Sequence, residues 1–236
     1  MDAQDEAGTR LLLYGRRRGR ALRPGQRRLV AEVLPRLRFE LPARGALDPR
    51  ALFGFPVEAI WLELGFGGGE HLAAQAAAHP AIGMIGAEVY ENGVAKLLRE
   101  IERHGLRNVR VYADDARALV SALSSSSIAR AFILFPDPWP KGRHKKRRIV
   151  SRQFLDDLAR AMEEGGELRL ATDDMDYARA MLECALDHPS FRWLAERACD
   201  WRARTADWPP TRYEEKALAR GRKPIYLRFA RCVRSS

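Results

Sequence analysis

One acidic side chain in this sequence lies in a setting suited to chemistry. Asp137 stands between Pro136 and Pro138, is followed by Trp139, and precedes a dense run of cations within residues 141–148. Proline fixes φ and has no N–H donor, so this stretch predicts a stiff loop and not a helix. The loop follows an apolar run that predicts a buried strand, and open α/β sheets place their chemistry at such strand ends. We therefore expect small-molecule chemistry and polyanion binding to meet here.

A glycine-rich turn forms the second candidate element. Gly65, Gly67 and Gly69 follow a predicted strand, and glycines let a backbone turn tightly and let a ligand approach it. A dinucleotide fold is the alternative, but Glu70 stands where its fingerprint has a third glycine. A pyrophosphate at a helix N-terminus favours positive potential, which Glu63 and Glu70 oppose. S-adenosylmethionine brings an ammonium and a sulfonium instead, so the turn favours this cofactor.

Further acids stand at the ends of the next two predicted strands. Glu88 ends the second, where a carboxylate can accept both hydroxyls of a ribose. Asp114 and Asp115 end the third, in reach of an adenine amino group. A tight turn with surface acids is the alternative, but acids spaced along successive strands favour a cofactor site.

Alternating strands and helices must position these residues. The pattern predicts strands over residues 59–64, 82–89, 109–113, 128–135 and 167–172. It predicts helices over residues 26–37, 70–78, 91–104, 116–123, 152–163 and 175–187. This alternation is typical of an α/β fold, a mainly parallel sheet covered on both faces. Two later strands, over 191–197 and 225–232, have no full helix between them and indicate an antiparallel finish to the sheet.

The charge of the chain indicates a polyanionic partner. The 236 residues contain 41 Lys and Arg against 31 Asp and Glu, a net charge of +10. Each phosphate neutralised by a cation releases counterions, so this balance favours nucleic acid. One cluster lies within residues 141–148, and the other consists of arginines: Arg10, Arg16, Arg17, Arg18, Arg20, Arg23, Arg27 and Arg28.

Length and composition limit the organisation further. Residues 1–24 predict a basic, partly disordered arm, and residues 25–236 a single domain. No apolar run approaches the roughly 20 residues that span a bilayer, and the start of the chain lacks a secretory hydrophobic region. Cys184, Cys199 and Cys232 show no metal-ligand spacing. We expect a cytoplasmic protein with reduced thiols, no metal, no membrane contact and no obligatory protein partner, as a monomer or homodimer.

The glycine turn and its acids resemble the cofactor half of the class I, Rossmann-like methyltransferases. The resemblance implies a seven-stranded, mostly parallel sheet with an antiparallel last strand and helices on both faces. It assigns the methionine end of S-adenosylmethionine to Glu63, Gly65, Gly67 and Gly69. It assigns Glu88 to the ribose and Asp115 to adenine, because Asp115-Ala116 matches the acid-alanine pair of the family. The fourth strand ends at the methyl group in this family, which implies that Asp137 also contacts the cofactor.

The string over residues 135–148 closely resembles the bacterial tRNA (guanine-N7)-methyltransferase family, which modifies guanosine 46 of the variable loop. Ala171-Thr172-Asp173 and the Thr-Arg-Tyr-Glu sequence that begins at Thr211 fit the same family, so the resemblance covers about residues 14–232. It implies a tRNA partner and substrate-binding roles for Lys141, Asp173, Thr211, Arg212, Tyr213 and Glu214. The cations expected to contact RNA phosphates are Arg143, His144, Lys145, Lys146, Arg147 and Arg148.

The chemistry of guanine N7 suggests a role for Asp137. N7 carries an in-plane lone pair and no proton, so attack on a sulfonium methyl group needs no general base. Catalysis then depends on positioning and on negative potential beside a purine that becomes cationic. We predict that Asp137 accepts from the N1–H and N2–H₂ edge of the guanine and stabilises its charge. Trp139 is either a stacking platform or an indole packed on the core.

Three other functions are open at this stage. A methyltransferase for exocyclic amines would have the order Asn/Asp-Pro-Pro-aromatic, which residues 136–139 alter. An RNA-binding protein that has lost its activity would not need the intact set of Glu63, Glu88, Asp115 and Asp137. A dehydrogenase is disfavoured by the glutamates at the glycine turn.

Overall fold

The computed structural model describes residues 17–233, which fold around a seven-stranded sheet. In chain order the strands are β1 (Ala59–Leu64), β2 (Ile82–Ala87), β3 (Val109–Tyr112), β4 (Ile128–Leu134), β5 (Met162–Thr172), β6 (Phe191–Trp193) and β7 (Ile225–Arg231). Their spatial order is β3-β2-β1-β4-β5-β7-β6. Strands β1 to β5 pair in parallel, and β7 is antiparallel to both β5 and β6. The predicted parallel sheet with an antiparallel last strand is confirmed.

The strand order changes direction between β1 and β4. The chain runs from β1 outward to β2 and β3, and then returns to β4 on the other side of β1. Loops that leave the carboxyl ends of β1 and β4 therefore diverge, which opens the crevice where ligands bind in open α/β sheets. The glycine turn and the proline-rich loop both leave the sheet at this crevice.

Helices cover both faces of the sheet. Within residues 17–233 they are α1 (Pro24–Glu32), α2 (Leu34–Leu37), α3 (Glu70–Ala78), α4 (Glu91–His104), α5 (Ala116–Ala122), α6 (Arg152–Ala161), α7 (Met175–Leu186), α8 (Cys199–Arg202) and α9 (Arg212–Ala219). One core combines Trp61 and Met84 with α1, α3 and α4, and the other combines Ile60 and Leu62 with α5, α6 and α7. Since alternate strand residues point to opposite faces, Glu63 shares the face of Trp61, under α3.

Three predicted elements differ in the structure. The helix predicted over 26–37 is divided into α1 and α2, because Pro35 has no N–H to continue the ladder. Strand β5 starts at Met162, and its register against β4 shifts before Glu167. Between β6 and β7, where no full helix was predicted, the chain forms α8 and α9. Helices this short depend on caps and packing, which periodicity does not reveal.

The predicted N-terminal arm falls largely on residues 1–16, which lie outside the described residues. Residues 17–20 lie against α4, where Gly19 N–H donates to Asn92 Oδ1 at 3.0 Å and Asn92 Nδ2 donates to Arg20 O at 2.8 Å. The division into an arm and a domain stays a prediction. Within residues 17–233, the helices are too short or too polar to cross a membrane.

Candidate active site

A cleft of about 440 Å³ lies at the carboxyl ends of β1 to β4. Its lining includes Gly65 and Gly67 after β1, Glu88 after β2, Asp114 and Asp115 after β3, Phe135, Asp137 and Trp139 after β4, and Tyr213 from α9. The structure thus brings together acids that are separated by up to fifty positions in the sequence. Acids from three different loops face one space, so the cleft favours a ligand with positive charge.

The turn over residues 65–69, which we term the glycine loop, has a left-handed backbone at all of its predicted glycines. The φ angles are +73° at Gly65, +56° at Gly67 and +76° at Gly69, values that glycine adopts readily. Gly67 N–H donates to Glu88 Oε2 at 2.7 Å. On α4, a Cβ atom at Gly93 would lie 2.1 Å from Gly67 O, so the helix backbone packs directly on the loop.

Glu88 joins the glycine loop to the end of β2. Besides the Gly67 N–H, its carboxylate accepts from Val89 N–H at 2.8 Å and from Tyr90 N–H at 2.9 Å. Burial raises the pKa of Glu88 and the nearby Asp137 carboxylate raises it further, although the three backbone N–H groups oppose the shift. A cation bound between Glu88 and Asp137 would offset both the burial and the repulsion.

Asp115 keeps one carboxylate oxygen without a hydrogen bond. Its Oδ1 accepts from Arg117 N–H at 2.9 Å and caps α5, whereas its buried Oδ2 has no hydrogen-bond partner within residues 17–233 and lies 3.9 Å from Arg117 Nη1. An acceptor of this kind in a cleft wall suits a ligand donor, for example an exocyclic amine. Asp114 is instead engaged by the Arg17 guanidinium at 2.8 Å. The donor and acceptor set of the cleft fits the charged adenine nucleoside S-adenosylmethionine.

The stretch over residues 135–148, which we term the proline loop, carries Asp137 into the cleft. Phe135 and Trp139 flank the central acid with left-handed φ angles of +51° and +44°, which bulky residues rarely adopt. Phe135 N–H donates to Ala171 O at 2.7 Å and ties the start of the loop to β5. The Asp137 side chain itself is exposed in the cleft wall. The half-buried Trp139 ring has the Arg147 guanidinium 4.9 Å from its centre, so one of its faces is used inside the loop.

Most cations of the proline loop are open to solvent. Lys141, Arg143, Lys145 and Lys146 are exposed on or beside the 3-10 helix Gly142–Arg147. Lys145 forms an ion pair with Asp176 of α7 at 2.9 Å. The half-buried His144 ring stands edge-on to Trp139, with ring centres 5.9 Å apart. These exposed side chains form the surface that a polyanion can reach.

Arg148 is different, because the structure does not place it on that surface. The residue is 8% exposed. Its Nε donates to Pro138 O at 2.8 Å, and its Nη2 contacts Asp176 Oδ2 at 2.5 Å. The guanidinium of Arg148 is thus enclosed by the protein, and its predicted contact with RNA phosphates stays untested.

Glu63 is not brought to the cleft either. It is 2% exposed, and its carboxylate lies 2.7 Å from Nδ1 of the buried His71 on α3. Gln75 continues this polar group, since its Nε2 lies 3.3 Å from His71 Nε2 and donates to Asp207 O at 2.8 Å. The carboxylate supports the helix that follows the glycine loop, and its predicted contact with the methionine end stays untested.

Two of the six predicted substrate-binding residues stabilise the start of a helix. Thr211 and Glu214 are buried and cap α9, with Thr211 Oγ1 accepting from Glu214 N–H at 3.1 Å. This cap holds Tyr213 over the glycine loop, where a Cβ atom at Gly67 would lie 2.9 Å from the Tyr213 ring. Glu214 also lines a second cleft of about 810 Å³ on the other side of α9.

Three further predicted substrate residues also lie outside the first cleft. Asp173 accepts from the Arg222 guanidinium at 2.8 Å, while Arg212 and Lys141 are exposed. Tyr213 alone of the six predicted substrate residues lines the first cleft among the described side chains.

Several contributors to the cleft were not predicted, among them two polar side chains and one glycine. Tyr90 and Arg117 line it, and Gly93 allows α4 to approach the glycine loop. Tyr90 and Arg117 each lie two residues after a predicted site acid. Their position just beyond a strand end could have identified them as cleft residues. A glycine inside a predicted helix was the signal for Gly93. No group of three potential metal ligands forms among the described His, Cys, Asp and Glu residues.

Comparison with known proteins adds an independent finding. Residues 57–227 match the family model described as "Putative methyltransferase". The tRNA (guanine-N(7)-)-methyltransferase of Rhodospirillum rubrum is 52% identical over 226 residues, which cover 94% of this chain and 89% of that protein. The protein of the same name from Roseobacter denitrificans is 51% identical, covering 92% of this chain and 95% of its own.

The fold is also similar to that of solved methyltransferases. An rRNA methylase from Streptococcus thermophilus superposes with a TM-score of 0.51 at 16% identity, covering 75% of this chain and 89% of that one. At this level of identity the similarity concerns the fold alone.

Proposed function

This chain belongs to the family of tRNA (guanine-N(7)-)-methyltransferases, and we propose on that basis that it methylates N7 of guanosine 46 in the tRNA variable loop with S-adenosylmethionine. The observation that carries the proposal is the exposed Asp137 facing Glu88 in a cleft of strand-end acids. The assignment to position 46 rests on the similarity of residues 135–148 to the family motif.

The cleft residues would hold the cofactor through complementary groups. Glu88 and Asp137 supply negative charge, Asp115 Oδ2 can accept a hydrogen bond from an amino group, and Gly65 leaves open space beside its backbone. When bound, S-adenosylmethionine supplies an electrophilic methyl group on a positively charged sulfur. The residues around it have to orient this group, and no proton has to be removed from N7.

Asp137 is proposed to act on the guanine as an acceptor and a charge partner. Its carboxylate is exposed within the wall of the cleft and can receive hydrogen bonds from the guanine edge. As N7 gains a methyl group the purine becomes cationic, and an adjacent carboxylate stabilises that charge. A base is not required, so the side chain serves positioning and electrostatics.

The remaining substrate contacts divide between the base and the backbone of the tRNA. Tyr213 lies over the glycine loop and offers a ring to the target base. Lys141, Arg143, Lys145 and Lys146 present exposed cations to phosphates. Asp173, Thr211, Arg212 and Glu214 are proposed to shape the substrate side through their positions at β5 and α9.

One experiment tests reaction and position together. An unmodified tRNA transcript is incubated with the protein and radiolabelled S-adenosylmethionine, and the product is reduced with borohydride and then treated with aniline, which together cleave the chain at N7-methylguanosine. We expect label and cleavage at position 46 only. A matched transcript with 7-deazaguanosine at 46 retains the base shape without N7 and should take up no label.

Other outcomes contradict separate parts of the proposal. Cleavage at a different guanosine would refute the position and leave the reaction intact. Label without aniline-sensitive cleavage would refute N7 as the methylated atom.

A further inference from the structure

The last cation of the proline loop is organised differently from the cations that precede it. Arg148 is 8% exposed, whereas Lys145 and Lys146 are exposed. Its guanidinium carbon lies 4.5 Å from the centre of the buried Tyr177 ring. A charge enclosed in this way is stable only when hydrogen bonds and ion pairs replace its water.

Arg148 uses both ends of its guanidinium to connect the proline loop to α7. Nε donates to Pro138 O at 2.8 Å, and Pro138 is the residue directly after Asp137. Nη2 contacts Asp176 of α7 at 2.5 Å. The planar side chain therefore bridges the loop backbone and a helix while it stacks on Tyr177 of the same helix.

The proline loop needs such a support for a physical reason. Pro136, Pro138 and Pro140 have no N–H donors, so only two of the five residues over 136–140 can donate a backbone hydrogen bond. Phe135 and Trp139 hold left-handed backbone angles on either side of Asp137, and such angles persist only when surrounding contacts over-determine them. Phe135 N–H secures one side of the acid on β5, and Arg148 secures the other on α7.

We propose that Arg148 is a positioning residue for Asp137 and does not contact RNA. This inference rests on the proposed function, since the geometry it protects is that of the acid beside the methylated base. Small displacements of a positioned group reduce turnover more than they reduce binding, because they act on the transition state. Lysine cannot replace arginine here, since a single ammonium group has no planar fork to bridge a carbonyl and a carboxylate.

The test compares Arg148→Lys with the wild-type protein. We expect kcat to fall roughly 10- to 100-fold, while KM for tRNA, the Kd of S-adenosylmethionine and the salt dependence of tRNA binding stay within about twofold of wild type. Arg160→Lys is the matched control, because Arg160 donates to Leu123 O at 2.5 Å and to Val120 O at 2.9 Å away from the cleft. It should lower the melting temperature without lowering kcat.

Several results would overturn the inference. Unchanged kcat in Arg148→Lys would remove the positioning role, and a salt slope reduced by about one unit would identify a phosphate contact instead. If Arg148→Lys binds cofactor with less than full stoichiometry, Asp176→Asn is measured as a second variant. A lower kcat of Asp176→Asn at unchanged cofactor affinity supports the positioning role of Arg148, and an unchanged kcat refutes it. Absence of N7 methylation by the wild-type protein would refute the proposed function, whereas wild-type methylation together with an unchanged kcat in Arg148→Lys would refute this inference alone.

Discussion

The glycine loop and the proline loop leave adjacent strands, β1 and β4, and reach the same cleft by opposite means. The glycine loop turns through left-handed angles at three glycines, which accept them with little strain. The proline loop adopts left-handed angles at Phe135 and Trp139, where each costs on the order of 1–3 kcal/mol. The glycine loop adopts its conformation because its residue types favour it. The proline loop is held in its conformation by contacts with β5 and α7.

This difference indicates a division of labour between the loops. A cofactor has to enter and leave a cleft in every turnover, and the glycine loop offers it open space beside the backbone of Gly65. The reacting base has to be held in one orientation, and the proline loop offers a single carboxylate on a braced support. Substitutions in each loop, and at the residues that contact it, test this difference.

Removal of the Asp137 charge should have the largest effect on turnover. We expect Asp137→Asn, which retains shape, to lower kcat roughly 100- to 1,000-fold, as loss of a transition-state contact does in other enzymes. Asp137→Ala should abolish methyl transfer while tRNA affinity changes only a few-fold. Steady-state kinetics measures the turnover, and fluorescence anisotropy of labelled tRNA measures the affinity. Wild-type turnover in either variant would show that the proline loop does not carry the essential acid.

A methyl group added at Gly93 of α4 should displace the glycine loop. Its Cβ would lie 2.1 Å from Gly67 O, so Gly93→Ala should displace the loop and weaken cofactor affinity about tenfold or more. Gly65→Ala is the matched variant: its Cβ meets no atom within 4 Å, and only the φ of +73° opposes it. Isothermal titration with S-adenosylmethionine measures both. Equal losses in the two variants would show that contact with α4 does not shape the loop.

Acidification should weaken cofactor binding through Glu88. Burial raises the pKa of this carboxyl above its ordinary value of 4.5, and a bound cation favours the ionised form. Affinity should therefore fall a few-fold as the pH drops from neutrality towards this raised pKa. Glu88→Gln should bind more weakly at neutral pH and lose the dependence in that range. A Glu88→Gln titration that retains the wild-type pH profile would assign the dependence to another group.

The raised pKa of Glu88 has the opposite effect on the pH dependence of stability in the unliganded protein. A carboxyl with a higher pKa in the folded state than in the unfolded chain favours the folded state when protonated. Stability contributed by Glu88 is therefore present at low pH and is lost as the pH rises through the window above 4.5. Glu88→Gln should flatten this part of the curve in thermal melts without cofactor.

Neutralising exposed cations of the proline loop should have the smallest effect. For Arg143→Gln combined with Lys146→Gln we expect tRNA affinity to fall a few-fold and the slope of log K against log salt to decrease by about two units, one per phosphate contact. Fluorescence anisotropy of labelled tRNA over a salt series measures this slope. An unchanged slope would mean that the RNA reaches Asp137 along another surface of the protein.

The contrast between the loops also explains what sequence could predict. The sheet, its antiparallel last strand and the convergence of Glu88, Asp115 and Asp137 follow from local periodicity and from strand ends. Glu63 was the exception on the cofactor side, although its position two residues after Trp61 on β1 could have assigned it to the face under α3. Local rules therefore account for the glycine loop and most of its acids.

The substrate side depends on partners that are distant in the sequence. Arg148 resembles its cationic neighbours in type, and only its contacts with Pro138 and Asp176 distinguish it. The role of Arg148 is set by tertiary packing, which a single sequence does not display. Thr211 and Glu214 instead form a local Thr-x-x-Glu capping box on α9, a signal that was present in the sequence.

The placement of β7 has a consequence for how the protein is made. β7 lies between β5 and β6, so within the described chain β6 has no strand partner until β7 arrives. Long-range pairings have the largest loop-closure cost, so they form late in folding. The second cleft is lined by Glu214 of α9 together with Ile225 and Tyr226 of β7. We expect β6 and this cleft to become ordered only once β7 has paired with β5.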